Sequence, residues 1–217
     1  MVMRKQFINQ LKELSKNVIK MGSIIELSTN EMIEALEDYD VAKAQAIIDR
    51  DMEVNLLEEQ IERECINIIA QQQPLASDLR EVTSIMKIIT DIERIADQCA
   101  DISEYIIQLS KLPRTEKPVR LEAMIDTTKG MVIDVIDAFV EKDLAKCERV
   151  IETDDIVDKH FNKIKQELAD MMRANSDMVE QGICYVMIVK YLERMADHST
   201  NIAEWVKFIV TGVLTIG

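Results

Sequence analysis

The feature that most constrains this chain is an internal repeat. Asp91-Ile92-Glu93-Arg94-Ile95-Ala96-Asp97 returns as Tyr191-Leu192-Glu193-Arg194-Met195-Ala196-Asp197, with Glu193 falling 193 − 93 = 100 positions after Glu93. Upstream the offset is 103, so that Met21 falls on Met124, Ala35 on Ala138, Asp40 on Asp143 and Asp51 on Asp154. The two offsets differ by three because the turn holding Gln73 and Pro74 is three residues longer in the first copy. A repeat this long means two copies of one supersecondary unit, whose apolar faces must bury against each other.

The unit is helical. Phe7, Leu11, Leu14, Val18, Met21, Ile25, Met32 and Leu36 recur at helix spacing, which predicts a first helix from near Arg4 to near Asp38. Gly22 inside it costs about 1 kcal/mol relative to Ala. Asp40 is a good N-cap for a second helix reaching about Gln71, which Pro74 cannot continue. A third helix, capped by Ser77 or a neighbour, stops near Leu112 before Pro113. Lys111 to Pro118 holds two prolines and marks the midpoint. A fourth helix spans about Leu121 to Glu141, Lys142-Asp143 turns into a fifth, and Ala174 to Asp177 caps a sixth. The expected domains are 1–112 and 119–217. With only 5 Gly and 3 Pro in 217 residues, the fold class is all-α: six long helices joined by short turns in up-down bundles.

The repeat also carries chemistry. Glu93, Asp97 and Asp101 are four residues apart, as are Glu193, Asp197 and Asn201. Four residues of α-helix turn through about 400°, so successive side chains drift only ~40° and form a rail of oxygens beside the core stripe. The second and fifth helices carry matching pairs, Asp51 with Asn55 and Asp154 with Asp158. If these face the rails, carboxylates converge from neighbouring helices and repel by roughly several kcal/mol unless a cation sits between them. Such oxygen clusters suit Mg²⁺, Mn²⁺ or Fe. The alternative is a solvated acidic face, because 40 acidic residues produce many pairs at this spacing by chance. Repetition in register at equivalent positions adds weight to the metal reading, because a solvated face has no need to keep its register, and both readings stay open.

Composition excludes other classes. A net charge of −14 argues against nucleic acid and anionic lipid, and 4% aromatic content is too low for base-stacking platforms. No continuous apolar run is long enough to span a membrane, and no secretory signal is visible, so the expected location is cytoplasmic. The apolar tail from Trp205 to Ile216 reads as a helix end packed on a neighbour, compatible with a dimer. Cys65, Cys99, Cys147 and Cys184 lack zinc-ligand spacing and read as reduced, buried thiols. His160 and His198 are the only imidazoles, and each reads as a packed or hydrogen-bonded side chain. There is no Glu-x-x-His pair of the di-iron bundles, no glycine-rich phosphate loop and no nucleophile with an evident base, so an enzyme is not expected.

Over essentially its whole length the chain resembles the PhoU family of phosphate-signalling accessory proteins. The resemblance rests on the tandem three-helix units, on Gln72-Gln73-Pro74-Leu75-Ala76-Ser77-Asp78-Leu79-Arg80, and on the two Glu-Arg-x-Ala-Asp stretches. It implies two PhoU-type three-helix bundles and a regulatory, non-enzymatic role. It further implies partners: the ATPase subunit of a phosphate ABC transporter and a sensor histidine kinase, with repression of the starvation response when phosphate is plentiful. It implies metal ions (Fe, Zn, Mn or Mg) on Glu93, Asp97 and Asp101 with Asp51 and Asn55, and on Glu193, Asp197 and Asn201 with Asp154 and Asp158. Asn55 and Asn201 are amides where the strict pattern has carboxylates, and Gln98 stands where the second copy has His198. Alternatives are a PhoU-like regulator not tied to phosphate and a carboxylate-cluster metalloenzyme.

Overall fold

The computed structural model describes residues 2–72 and 74–214. Met1, Gln73 of the interhelix turn, and the last three residues of the apolar tail lie outside the described residues. The described chain forms six long helices and one short 3₁₀ turn: α1 Val2–Asp38, α2 Val41–Gln72, α3 Ala76–Leu109, α4 Leu121–Glu141, α5 Leu144–Ala174 and α6 Val179–Thr211.

The turns show why the two copies keep register. Tyr39 and Lys142, 103 positions apart, both adopt the left-handed conformation that ends a helix, with φ of 58° and 56°. Each is followed by an aspartate cap, the expected one at Asp40 and its repeat equivalent at Asp143. Asp40 accepts from the backbone N–H groups of Ala42 and Lys43 at 2.9 and 3.0 Å. Asp143 accepts from Ala145 and Lys146 at 2.8 and 3.2 Å.

Two boundaries differ from the sequence expectation. α3 begins two residues earlier than a Ser77 cap allows: Leu75 occupies the N-cap position in extended backbone, without a side-chain cap. Pro74 biases its surroundings away from helix, and the carbonyl of Leu75 already accepts from Leu79 at 2.8 Å. At its other end α3 closes at Leu109 instead of Leu112, because Ser110, Lys111 and Leu112 turn tightly onto the carbonyls of Ile106, Gln108 and Leu109. Before α6, Asn175 caps a 3₁₀ turn, Ser176–Met178, by accepting from Asp177 at 3.0 Å.

Packing follows the repeat. α2 packs on α3 and α5 on α6, while α1 and α4 lie behind them and touch each other. The halves join through α3 and α6, which run antiparallel: Asp91 meets Asn201, while Tyr105 meets Tyr191. One continuous apolar core results. It includes equivalent pairs such as Met21 and Met124, Val54 and Val157, and Ile92 and Leu192. Gly22 is explained here, since a Cβ at this position would stand 2.8 Å from Cγ2 of Ile136 on α4. The helix propensity lost at Gly22 allows α1 and α4 to approach closely. The four cysteines are buried and unpaired, and burial pushes the Cys65 and Cys99 thiols up to about 12. No described helix is long and apolar enough to cross a membrane.

Candidate functional site

The repeat relates two antiparallel helices, α3 and α6, and therefore acts as a two-fold rotation perpendicular to the pair. Such a rotation keeps both rails on one side of the layer α2-α3-α6-α5. On the first flank Asp51 stands against its rail and Asn55 is bonded to Asp51; on the second, Asp154 and Asp158 both stand against theirs.

In the first half, Asp51 of α2 stands close enough to Asp97 and Asp101 of α3 to feel both charges. Burial first, and then these neighbours, raise its carboxyl above the usual range. Glu93 is raised by burial, then by Asp97. Asp101 is raised by burial, then by Glu104 and Asp97. The amide of Asn55 donates to Asp51 Oδ2 at 3.1 Å. Oδ1 of Asp51 and Oδ1 of Asn55 are both buried without a donor, which is unusual for buried polar atoms.

The second half repeats this with less compensation. Burial is the largest influence on Asp154, followed by Asp197, Asp158 and Asp155, and its carboxyl is pushed up to about 6. Glu193 is raised by burial, then by Asp197, Asp158 and Asp154. Asp197 and Asp158 are exposed, and Asp197 is raised by partial desolvation, then by Asp158.

Two participants in the first cluster were not recognised as such in the sequence. Glu58, one turn beyond Asn55, accepts from Thr90 at 3.4 Å and adds to the charge at Glu93. Its spacing of three after Asn55 was a signal, but its equivalent, 103 positions on, is Phe161. Arg94 lies inside the repeated motif and bridges the rail: Nη1 reaches Asp97 Oδ2 at 2.7 Å and Nε reaches Glu93 Oε2 at 3.3 Å. A guanidinium is thus already satisfying two of the proposed ligands. Among the described residues no group of three or more His, Cys, Asp or Glu side chains is arranged to hold a metal ion as it stands. The donor chemistry nevertheless fits a hard cation: the oxygens are carboxylate and amide, two are orphaned, and their mutual repulsion is only partly relieved.

The third rungs do something the spacing did not foretell. Asn201 is turned from its rail towards α3, donating to Asp91 Oδ1 at 3.2 Å. His198 Nδ1 meets the same oxygen at 2.9 Å. Its symmetry counterpart is a hydrogen bond between Asp101 and Tyr191, with the Tyr191 ring 6.1 Å from that of Tyr105. Each half therefore holds the end of the other half's rail, next to the first rung. His160 on α5 takes no part, and its Nδ1 has no hydrogen-bond partner.

Comparison with known proteins gives this architecture its kinship. The family model described as the PhoU domain matches twice, over residues 18–106 and 121–206. A protein of Clostridium acetobutylicum named phosphate-specific transport system accessory protein PhoU homolog is 35% identical over 210 residues, covering 96% of each chain. A homolog so named in Pseudomonas putida is 32% identical, over 96% of this chain and 82% of its own. Among solved structures, PhoU from Pseudomonas aeruginosa superposes with a TM-score of 0.93 at 31% identity, over 95% of this chain and all of that one. The phosphate transport system regulatory protein PhoU from Streptococcus pneumoniae gives 0.90 at 28% identity, over 97% of this chain. These relatives are named as accessory and regulatory proteins of phosphate transport. Two matched domains, a shared six-helix architecture and near-complete coverage together make this chain a member of the PhoU family.

Proposed function

We propose that this protein is a regulatory accessory protein of phosphate uptake, coupling the ATPase subunit of a phosphate ABC transporter to a sensor histidine kinase and repressing the starvation response when phosphate is abundant. It acts by binding, in the cytoplasm and as a homodimer. The observation that carries this reading is the end-to-end likeness to proteins named as phosphate transport accessory proteins. The absence of any nucleophile–base pairing in the sequence accords with a binding role.

The carboxylate clusters are read as cation sites that set the outer face of the α2-α3-α6-α5 layer. Asp51, Asn55, Glu93 and Asp97 would hold ions in the first half, and Asp154, Asp158, Glu193 and Asp197 in the second. A bound cation supplies positive charge where burial and crowding have already made these carboxylates reluctant to ionise. In the first half the ion must compete with Arg94 for Asp97. The orphaned oxygens of Asp51 and Asn55 support this reading.

Deleting the gene and measuring starvation-gene expression in phosphate-rich medium tests the regulatory assignment. Derepression at high phosphate, restored by the wild-type chain, is expected; unchanged expression and unchanged phosphate uptake would overturn it.

A further inference from the structure

The start of α1 has no counterpart in the repeat. α1 has 37 residues and α4 has 21. The family match begins at residues 18 and 121, which are equivalent positions because 18 + 103 = 121. Residues 2–17 lie before that point and contain Arg4, Lys5, Lys12 and Lys16 against Glu13, a net of +3 in a chain of −14. The remaining sequence carries −14 − 3 = −17. The extension is thus a segment of opposite sign to the rest of the molecule.

Phe7 and Leu14 of the extension, continued by Val18 just past it, form one stripe buried in the core. A second stripe, Ile8, Leu11, Ser15 and Ile19, lies roughly 40–120° round the axis. It stays open, with Ile8 44% and Ile19 37% exposed. Together with Lys12, Lys16 and Glu81 of α3 it lines a shallow apolar groove of about 410 Å³. From Ile8 to Ile19 is about 16 Å, or three helical turns. Glu81 is neutralised by Lys142 at 3.0 Å. Lys16 also reaches Glu13 along the helix at 2.8 Å, and Lys12 adds a further positive charge to the rim.

We propose that this groove docks an amphipathic helix with acidic flanks, contributed by a protein partner. A three-turn apolar floor takes the anchors of one helix face. The lysines on its rim select acidic flanking residues and orient them. Charge favours a protein over an anionic bilayer, since the remaining surface would repel the bilayer. The proposal stands independently of the phosphate and cation readings.

The test uses the full-length protein and a fluorescently labelled 21-residue helical peptide with Leu at heptad anchor positions and Glu on both flanks, beside a twin in which Lys replaces Glu. In anisotropy titrations the acidic peptide binds saturably and the Lys twin does not. Binding is at least about tenfold weaker to Lys12→Glu/Lys16→Glu and to Ile8→Glu/Ile19→Glu, with an intermediate loss for Lys12→Gln/Lys16→Gln. Ile183→Glu, an exposed site at the start of α6, leaves binding unchanged. Circular dichroism melts establish that each variant is folded. Equal binding of both peptides, or unchanged affinity in both double variants, overturns the proposal. So does sedimentation of the wild type with phosphatidylglycerol vesicles that Lys12→Glu/Lys16→Glu abolishes, which would assign the groove to a membrane. Conversion of a dimer to a monomer by Ile8→Glu/Ile19→Glu overturns it in favour of a second copy of this chain.

Discussion

The two carboxylate clusters share a motif, a fold position and a helix pairing, yet they balance their charge differently. In the first, Arg94 bridges Glu93 and Asp97, and Asn55 donates to Asp51. In the second, Asp158 replaces that amide donor with a further carboxylate. Asp154 is correspondingly pushed up to about 6, chiefly by burial and then by Asp197 and Asp158. Duplication has conserved where the oxygens stand, while their neutralisation has diverged. The second cluster therefore has the greater unrelieved repulsion, and a cation would relieve more of it.

The largest expected effect is on cation binding. Asp154→Ala/Asp197→Ala should weaken the tighter of two Mn²⁺ sites by roughly a hundredfold in calorimetric titration, about 2.7 kcal/mol. Asp51→Ala/Asp97→Ala should remove the weaker one. Equal affinities at the two clusters in the wild type would break the contrast.

Next is the cross-connection between halves. Asp91→Ala strands His198 and Asn201 and should cost about 2 kcal/mol, lowering Tm by roughly 4–8 °C. Tyr191→Phe removes only the hydrogen bond to Asp101 and should cost about half as much. A reversed order would show that the aromatic side of this pseudo-symmetric pair carries the interface.

A smaller effect is the pH dependence of the second cluster. The Asp154 carboxyl is raised in the folded state, so the native protein binds more protons than the unfolded chain between about pH 4 and 6. Its contribution to stability is fully present below the unfolded value and is lost as pH rises through the folded one. Asp154→Asn should accordingly raise Tm at pH 7.5 in metal-free buffer by about 2–4 °C, after discounting for solvent screening, and by less at pH 4.5. A gain independent of pH would remove the electrostatic explanation.

The smallest is Arg94→Gln. It frees Asp97 and should change Mn²⁺ affinity of the first cluster by only about two- to threefold, roughly 0.5 kcal/mol. An effect as large at Arg194, for which no comparable bridge forms among the described contacts, would erase the distinction between the two arginines.

Much of this site was legible before any coordinates. Side chains four apart on a helix share a face, so the rails of α3 and α6 followed from spacing. The equivalence of Asp51 and Asp154 followed from the offset. In the structure Asp51 lies near Asp97 and Asp154 near Asp197, close enough for the rail aspartate to raise the carboxyl of Asp51 and of Asp154. What escaped were the residues whose role depends on a neighbouring helix. Asn201 has rail spacing but turns to Asp91, because the α3–α6 crossing brings that half-buried carboxylate within hydrogen-bond distance. Glu58 joined the first cluster without any repeat to advertise it, since its equivalent is Phe161.

The sequence by itself determined six helices, their register as a duplicated unit, the aspartate caps and the intervals between acidic groups. These depend on local backbone geometry and on periodicity. Only the tertiary structure decided which oxygens are orphaned, which are tied to arginine or histidine, and which exposed stripe of α1 borders a groove. Those outcomes depend on distances between helices far apart in the chain, and such distances are set by the packing of the whole core.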